Sequence, residues 1–259
     1  IPPLPEQRKI AAILSSADGV IEKTQAVIDQ VQVVKRGLMQ QLLTKGVPGR
    51  HTRFKPLETE WRLGRVTQRL PVEIPSTWEL VRLCDVAQLE SGHTPSRRHP
   101  EYWNGDIPWI SLHDSKQLDK PEISVTAQTI GPLGLANSSA RLLPRGTVVF
   151  SRTATVGKTT IMSREMSTSQ DFANYVCGPR IYNRYLMHVF REIQGEWKRL
   201  MAGSTHQTIY MPVFRDLQIL LPDYEEQVTI ASIADSLDKR SSLETEKVSA
   251  LKHIKTALL

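Results

Sequence analysis

Four polar segments in the middle of the sequence combine side chains that can hydrogen-bond to nucleic acid; they lie at 91–106, 151–158, 167–171 and 203–207. Arginine can pair bidentately with guanine and glutamine with adenine, while hydroxyl groups and lysine can hold phosphates. Solvated turns use the same residue types, which is the favoured interpretation for any single residue. The four segments taken together favour contact with a nucleic acid. The residues predicted to make that contact, including two from 111–113, are His93, Thr94, Ser96, Arg97, Arg98, Trp103, Ser111, His113, Ser151, Arg152, Thr153, Lys158, Ser169, Gln170, Ser204, Thr205, His206 and Gln207.

Catalytic signatures are missing from the same region of the sequence. The segment 152–159 imitates a phosphate-binding loop, but arginine stands at position 152, where the pattern G-x-x-x-x-G-K-[ST] requires glycine. No G-x-G-x-x-G, H-E-x-x-H or G-x-S-x-G pattern occurs. Glu196 and Lys198 have the spacing that ends some nuclease metal sites, but they fall in an amphipathic stretch and are better explained as a helical ion pair. We therefore expect no catalytic residues, no metal and no cofactor in this chain.

The composition is that of an ordinary globular protein. The 259 residues are 40% hydrophobic and 23% charged with a net charge of +6, and this length allows one or two domains with a hydrophobic core. The basic excess lies mostly in 46–70, which fits a polyanionic partner. Cys84 and Cys177 cannot form a disulfide framework and no apolar run reaches the length of a membrane span, so we expect a cytoplasmic protein. The start, Ile1-Pro2-Pro3, indicates the interior of a longer protein.

The two ends of the chain resemble each other. Sliding the sequence by 220 positions aligns 1–39 with 221–259 and gives 10 identities in 39 positions without a gap, among them Glu6-Gln7 with Glu226-Gln227. Such repetition indicates a repeated structural unit. Because a strand-like segment precedes the second copy, we expect an upstream domain equivalent to 71–220 before the first copy, either removed or supplied by another chain.

Both copies are predicted to form long amphipathic helices. Apolar residues recur at three- and four-residue steps from Ile10 to Leu42 and from Ile230 to Leu258, with Ser241 as a polar interruption. A helix of about 35 residues is a rod of roughly 50 Å, which is too long to bury its apolar seam against a short partner. The matching copy makes an antiparallel two-helix coiled coil the simplest arrangement. Two separate core helices of a globular fold are the alternative.

The region between the two copies has the sequence pattern of short strands and turns. Strands are predicted in 78–83, 107–112 and 146–151, with a hairpin turn at Gly157-Lys158 and a helix from 185 to 201. The predicted fold class is α+β, with one mixed α/β domain and two long helices that form an antiparallel coiled coil. The predicted domains are the first long helix at 1–45, a basic linker at 46–70, the mixed domain at 71–220 and the second long helix at 221–259.

Several segments have the pattern of one known family. They are Leu4-Pro5-Glu6-Gln7 and 225–227 at the entries to the two helices, together with 78–86, 91–96, 103–110, 143–146 and 204–207 in the middle domain. In these segments the chain resembles the DNA-specificity subunit of type I restriction–modification systems, over essentially its whole length. Glycine is common in that family where Cys84 stands here.

The resemblance implies a target recognition domain at 71–220 between two conserved helices. A full subunit has two such domains, each of which reads one half of a bipartite DNA sequence, and the paired helices set their separation. The subunit has no catalysis of its own. The implied partners are double-stranded DNA, methyltransferase subunits that bring S-adenosylmethionine, restriction subunits that use ATP and Mg²⁺, and a second copy of the chain if the missing domain is supplied in that way.

Two other functions stay open at the level of the sequence. The coiled coil could belong to an assembly protein that binds a non-DNA ligand on its middle domain, and a direct nuclease is the third interpretation. Salt dependence separates the first two, because DNA binding weakens steeply as salt rises whereas docking on an apolar seam does not. Cleavage without ATP or another subunit would favour a nuclease.

Overall fold

The computed structural model describes residues 2–57, 71–201 and 207–257. They form two compact units, one of Ile1–Gln41 with Ser232–Leu259 and the other of Leu42–Ala231. The described residues contain six α-helices: α1 (Leu4–Lys45), α2 (Pro132–Ala136), α3 (Asn183–Glu192), α4 (Gln194–Met201), α5 (Met211–Arg215) and α6 (Tyr224–Ala257).

Twelve short strands accompany these helices in the described part of the chain, and all of them belong to the larger unit. This mixture of helix and strand confirms the predicted α+β class. The strands are β1 (Phe54–Pro56), β2 (Glu73–Pro75), β3 (Glu79–Arg82), β4 (Ala87–Ser91), β5 (Trp103–Ile110), β6 (Glu122–Ile123), β7 (Gln128–Ile130), β8 (Val148–Ser151), β9 (Thr159–Met162), β10 (Ser167–Thr168), β11 (Phe172–Cys177) and β12 (Gln218–Leu221).

The long helices α1 and α6 pair in the smaller unit. Lys35 contacts Asp238, and Asp18, nearer the start of α1, contacts Lys255, nearer the end of α6. The pair is therefore antiparallel, as predicted. We call the residues that face the partner helix the seam, and they recur at alternating three- and four-residue steps as in a coiled coil. They are Leu14, Ala17, Ile21, Thr24, Ile28, Val31, Lys35 and Leu38 of α1, and Ala234, Leu237, Ser241, Glu244, Val248, Leu251 and Lys255 of α6.

The larger unit is built on a five-stranded sheet in the order β4-β11-β8-β9-β6. Strands β4, β11, β8 and β9 are antiparallel neighbours, and β6 joins β9 in parallel. A three-stranded sheet, β10-β5-β7, and two strand pairs, β1-β2 and β12-β3, complete the unit. The predicted hairpin is confirmed, because β8 and β9 pair on either side of Gly157.

The hydrophobic core of the larger unit covers both faces of the five-stranded sheet, because alternate strand residues point to opposite sides. Phe150 packs edge-on against Phe190 of α3, Trp197 of α4 and Phe214 of α5. The neighbouring Val149 belongs to a separate cluster, whose buried members are Ile110, Leu118, Ile123, Leu143, Val149, Met162, Met166 and Phe172. The sheet is therefore buried on both sides and forms a rigid support for the loops at its ends.

The structure differs from two details of the sequence interpretation. The single helix predicted for 185–201 is two helices, because α3 ends at Glu192 and α4 begins at Gln194, with Ile193 as the turn residue between them. Gly195, a poor helix former, lies in the first turn of α4. The predicted linker 46–70 contains β1, which pairs with β2. Its remaining part, 58–70, lies outside the described residues. None of the helices in the described ranges is long and apolar enough to cross a membrane.

A buried carboxylate joins three segments of the larger unit. Glu226, in the first turns of α6, is fully buried and accepts hydrogen bonds from the Trp78 indole N–H at 2.9 Å and from the Val47 backbone N–H at 2.9 Å. The imidazole Nε2 of His51 lies 2.8 Å from the same carboxylate. Glu226 therefore ties the segment after α1 and the β2–β3 turn to the start of α6. We call these four residues the Glu226 cluster.

Candidate nucleic-acid interface

The loop between β4 and β5 presents an arginine on a tryptophan platform. The guanidinium carbon of Arg97 lies 3.5 Å from the centre of the Trp103 ring, and Arg97 Nη2 donates a 2.9 Å hydrogen bond to Gln128 Oε1. Trp103 in turn packs edge-on against the buried Trp109 at 5.0 Å. Arg97 is exposed, yet stacking and hydrogen bonding hold its planar group in a fixed orientation. Because one hydrogen bond uses one of its five N–H donors, the group can still bind a ligand bidentately.

This loop is anchored to the 167–171 segment by backbone contacts. The His93 N–H donates to the Thr168 carbonyl at 2.9 Å, and the His93 carbonyl accepts a hydrogen bond from the Trp109 indole at 3.1 Å. A Cβ atom at Gly92 would collide with the backbone of Thr168, so glycine permits this close approach. Thr94 Oγ1 then donates to Gln170 Oε1 at 2.6 Å. Two of the four predicted polar segments therefore meet.

Arg152 joins the 151–158 segment to the same region and also bonds to Ile209, two residues after Gln207. Its Nε donates to the Gln170 carbonyl at 2.9 Å and its Nη1 to the Ile209 carbonyl at 3.3 Å. The Ile209 N–H in turn donates a 2.9 Å hydrogen bond to the Arg152 carbonyl. Burial lowers the pKa of the half-buried Arg152 guanidinium, and the Asp171 carboxylate opposes that shift. Arg152 therefore holds these loops together, and the first three segments form one surface. Of the fourth segment the structure describes only the exposed Gln207.

The remaining predicted residues are placed in two ways. Ser96, Arg98, His113, Thr153 and Gln207 are exposed or partly exposed on the loops of this region. By contrast, Ser111, Ser151 and Ser169 are buried, and their hydroxyls bond to nearby loop atoms of Asp114, Thr153 and Asp171. These three serines shape the loops, and a DNA contact by them stays a prediction. Ser204, Thr205 and His206 lie outside the described residues.

Lys158 does not form a phosphate-binding loop. It leads into strand β9 instead of opening a helix, and its ammonium group bonds to Asp119 Oδ2 at 2.6 Å and to the Ser115 carbonyl at 2.9 Å. A phosphate loop requires a helix N-terminus that directs backbone N–H groups at the phosphates. Lys158 lies instead at the turn of the β8–β9 hairpin. Within the described ranges no group of three His, Cys, Asp or Glu side chains is arranged to hold a metal ion.

Sequence reasoning did not identify Gln128 and Trp109 as parts of this surface. Gln128 lies on β7, 31 residues after the arginine that it orients, and a lone glutamine in a strand carries no signal. Trp109 was recognised only as part of a buried strand. The contact between the Trp103 and Trp109 rings was not predictable, because a register shift interrupts β5 between Trp103 and Ile107 and the sequence carries no signal for it.

The sequence model of the type I restriction modification DNA specificity domain matches residues 75–253 of the chain. The chain belongs to this family. Among other specificity-family members, it is 29% identical over 168 residues to the MjaIX specificity subunit of Methanocaldococcus jannaschii, covering 64% of this chain and 39% of that protein. It is 25% identical over 272 residues to the MjaVIII specificity subunit of the same organism, covering 100% of this chain and 59% of that protein.

Solved structures with the same fold belong to type I restriction–modification proteins. A chain from an assembled type I restriction–modification system matches with a TM-score of 0.67 at 18% identity, over 100% of this chain and 59% of the other. The crystal structure of the HsdS subunit from Thermoanaerobacter tengcongensis matches with a TM-score of 0.61 at 17% identity, over 100% and 58%. These matches confirm the architecture of a mixed domain with two long helices. This specificity-family chain spans less than two thirds of each of these relatives.

Proposed function

We propose that this chain is a DNA-reading part of a type I restriction–modification specificity subunit, and that its larger unit reads one half of a bipartite target. The observation that carries the proposal is the surface formed by the first three polar segments, with Arg97 held over the Trp103 ring. A planar arginine presented in a fixed orientation suits bidentate recognition of guanine O6 and N7. Membership of the specificity-domain family supports DNA as the ligand.

Some residues of this surface contact the DNA, and others hold the loops in position. Arg97 has free donor capacity and faces outward, so it reads a base edge. Thr94 and Gln170 are bonded to each other, and in the complex they exchange that bond for contacts to bases or phosphates. Arg152 bonds to two backbone carbonyls and positions the loops instead. The chain itself catalyses no step. S-adenosylmethionine, ATP and Mg²⁺ bind to partner subunits, and the complex works in the cytoplasm.

The test of DNA binding is a titration of the full chain with random-sequence duplex at rising salt. Contacts to phosphates release counterions, so we expect the affinity to fall about tenfold or more between 50 and 200 mM salt. Fluorescence anisotropy of a labelled duplex measures this. An affinity that does not change with salt would support the alternative, a coiled-coil assembly protein with a non-DNA ligand.

The outer side of α1 is proposed as the docking surface for the methyltransferase subunit. Ile13, Val20, Val27 and Val34 recur every seven residues and are 56, 46, 40 and 46% exposed. They form an apolar stripe of about 31 Å beside the seam, which fits the apolar face of another helix. Membership of the type I restriction modification DNA specificity family supports the methyltransferase as the occupant.

Charged residues in this stripe are expected to break the docking. In the Val20→Asp and Val27→Asp double variant, co-purification with the methyltransferase subunit of the same system should fall at least tenfold, because two carboxylates would be buried in an apolar contact. The matched control is Ala26→Asp with Val33→Asp, which adds the same two charges at the same spacing on exposed positions about 100° around the helix from the stripe. Equal recovery of the two double variants would contradict the assignment.

A further inference from the structure

A buried asparagine interrupts an apolar face of the five-stranded sheet. Asn174 lies on β11, directly opposite Val149 of β8 and two residues after Phe172, so the three side chains share one face. Val149 and Phe172 belong to the buried apolar cluster on that face, and Asn174 is itself fully buried. Its Oδ1 has no hydrogen-bond partner among the described residues, and a buried polar atom without a partner costs stability. Stability alone therefore does not explain an asparagine at this position.

The amide nitrogen of Asn174 binds a strand of the other sheet. Its Nδ2 donates a 2.8 Å hydrogen bond to Thr168 Oγ1 and a 3.3 Å hydrogen bond to the backbone carbonyl of Glu90 on β4. Thr168 is fully buried and lies on β10, next to β5 in the three-stranded sheet. We call the hydrogen bond between Asn174 and Thr168 the sheet clasp, because it joins the five-stranded sheet to the three-stranded sheet.

Each of these sheets carries a different part of the candidate DNA surface. Arg97 stacks on Trp103 of β5 and bonds to Gln128 of β7, so its position depends on the three-stranded sheet. The 151–158 segment connects β8 to β9 and depends on the five-stranded sheet. Phosphate contacts set the register of a protein on a duplex, while base contacts read the sequence. The alignment of the two sheets therefore determines which base edge Arg97 meets.

Thr168 lies directly against the backbone that leads to Arg97. Its carbonyl accepts a 2.9 Å hydrogen bond from the His93 N–H. A Cβ atom at Gly92 would lie 2.2 Å from the carbonyl oxygen of Thr168 and 2.2 Å from its Oγ1. The hydroxyl that Asn174 binds is thus in close contact with this backbone. A displacement of Thr168 would therefore displace the start of the loop that carries Arg97.

We infer that Asn174 is a positioning residue for DNA reading, and that it acts through Thr168 on the loop of Arg97. The apolar clusters supply the stability of the two sheets, and the sheet clasp sets how the sheets align. A buried polar group retained for alignment at some cost in stability has this role. The effect on DNA reading rests on the proposed function, whereas the effect on the loop does not.

A matched pair of threonine variants tests the sheet clasp. Thr168→Val removes the hydroxyl that Asn174 binds. Thr160→Val makes the same change at another fully buried threonine, on β9, whose hydroxyl has no hydrogen-bond partner among the described residues. Thr168→Ser keeps the hydroxyl and loses a methyl group. The quantity compared is the ratio of the Kd for an unrelated duplex to the Kd for the word that the native chain selects, measured by fluorescence anisotropy.

We expect this ratio to fall about tenfold or more in Thr168→Val, because a displaced Arg97 no longer meets both acceptors of its base. Thr160→Val and Thr168→Ser should keep the native ratio. Equal ratios in the two valine variants, in a chain that does select a word, would overturn the inference and leave the proposed function intact.

Hydrogen exchange tests the same step without DNA. Backbone amides of 91–99 should exchange about fivefold faster or more in Thr168→Val, and at the native rate in Thr160→Val, as followed by mass spectrometry of proteolytic peptides. Equal exchange in the two variants would overturn the inference whether or not the chain reads DNA. A native chain that selects no word would reject the proposed function, and this comparison would still decide the role of Asn174 in the loop.

A double variant separates alignment from stability. Asn174→Leu with Thr168→Val removes both partners of the sheet clasp, and replacing both partners of a buried hydrogen bond by apolar groups is close to neutral or stabilising. We expect the urea midpoint to be retained or raised, while the ratio stays low and 91–99 still exchanges fast. A lowered midpoint with a native ratio would overturn the inference, because the sheet clasp would then contribute to stability and not to reading.

Discussion

Replacing Glu226 by alanine should lower the free energy of unfolding of the larger unit by about 3 kcal/mol. The substitution removes the acceptor of the Trp78 indole and of the Val47 backbone N–H and the partner of His51, all in a buried site. Each buried donor left without a partner costs about 1–3 kcal/mol. The loss is below the sum of these terms because water can enter the space left by the side chain.

The internal repeat supplies the matched control for this variant. Glu6 is the aligned residue 220 positions earlier, it also lies in the first turn of a long helix, and it is exposed. Glu6→Ala should therefore change stability by less than about 0.5 kcal/mol. Urea unfolding followed by tryptophan fluorescence suits the comparison, because all five tryptophans fall between Leu42 and Ala231.

A third variant separates hydrogen bonding from packing at the same site. Glu226→Gln keeps the volume of the side chain but replaces one accepting oxygen by an NH₂ group. That NH₂ group would point at a hydrogen-bond donor, the Trp78 indole or the Val47 backbone N–H, and could not accept its hydrogen bond. We expect it to lose about half as much stability as the alanine variant. If Glu226→Ala unfolds at the native urea concentration, the Glu226 cluster does not hold these segments together.

Replacing Arg97 by lysine should remove sequence discrimination while preserving general affinity for DNA. Lysine keeps the positive charge but lacks the planar fork that stacks on Trp103 and pairs with two acceptors of one base. We expect binding to the preferred duplex to weaken by about 1–3 kcal/mol, and binding to unrelated duplex to change less than about twofold. Fluorescence anisotropy on both duplexes at one fixed salt concentration measures the ratio.

Arg97→Ala completes the comparison at this position. Removing the charge as well should weaken binding to both duplexes, with the larger loss on the preferred one. An equal loss on all sequences in the alanine variant, with native discrimination in the lysine variant, would show that Arg97 contacts phosphates and reads no base.

The paired helices were predictable because the same amphipathic helical pattern occurs at both ends of the sequence. The three- and four-residue spacing fixes a helix, and the matching lengths of the two copies leave an antiparallel partner as the natural way to bury both seams. The β8–β9 hairpin was predictable from Gly157 between two β-forming runs, and in the structure Gly157 adopts a positive φ of 95°. These are local signals, or signals repeated along the chain.

The contacts that decide the roles of individual residues were not predictable in the same way. Glu6 and Glu226 both belong to a Glu-Gln pair at the start of a long helix, but only Glu226 has the Trp78 and His51 side chains packed on it in this unit. Likewise, Ser151 and Thr94 both belong to hydroxyl-rich segments, yet Ser151 is fully buried while Thr94 stays partly exposed. Burial depends on how distant segments meet, and composition carries no record of it.

Selection of bound sequences from a random duplex library by the full chain tests the central claim most directly. After several rounds at a fixed salt concentration, sequencing should show one short enriched word containing a guanine whose selection disappears in the Arg97→Lys chain. Enrichment of no word by the native chain would contradict a DNA-reading function for this surface.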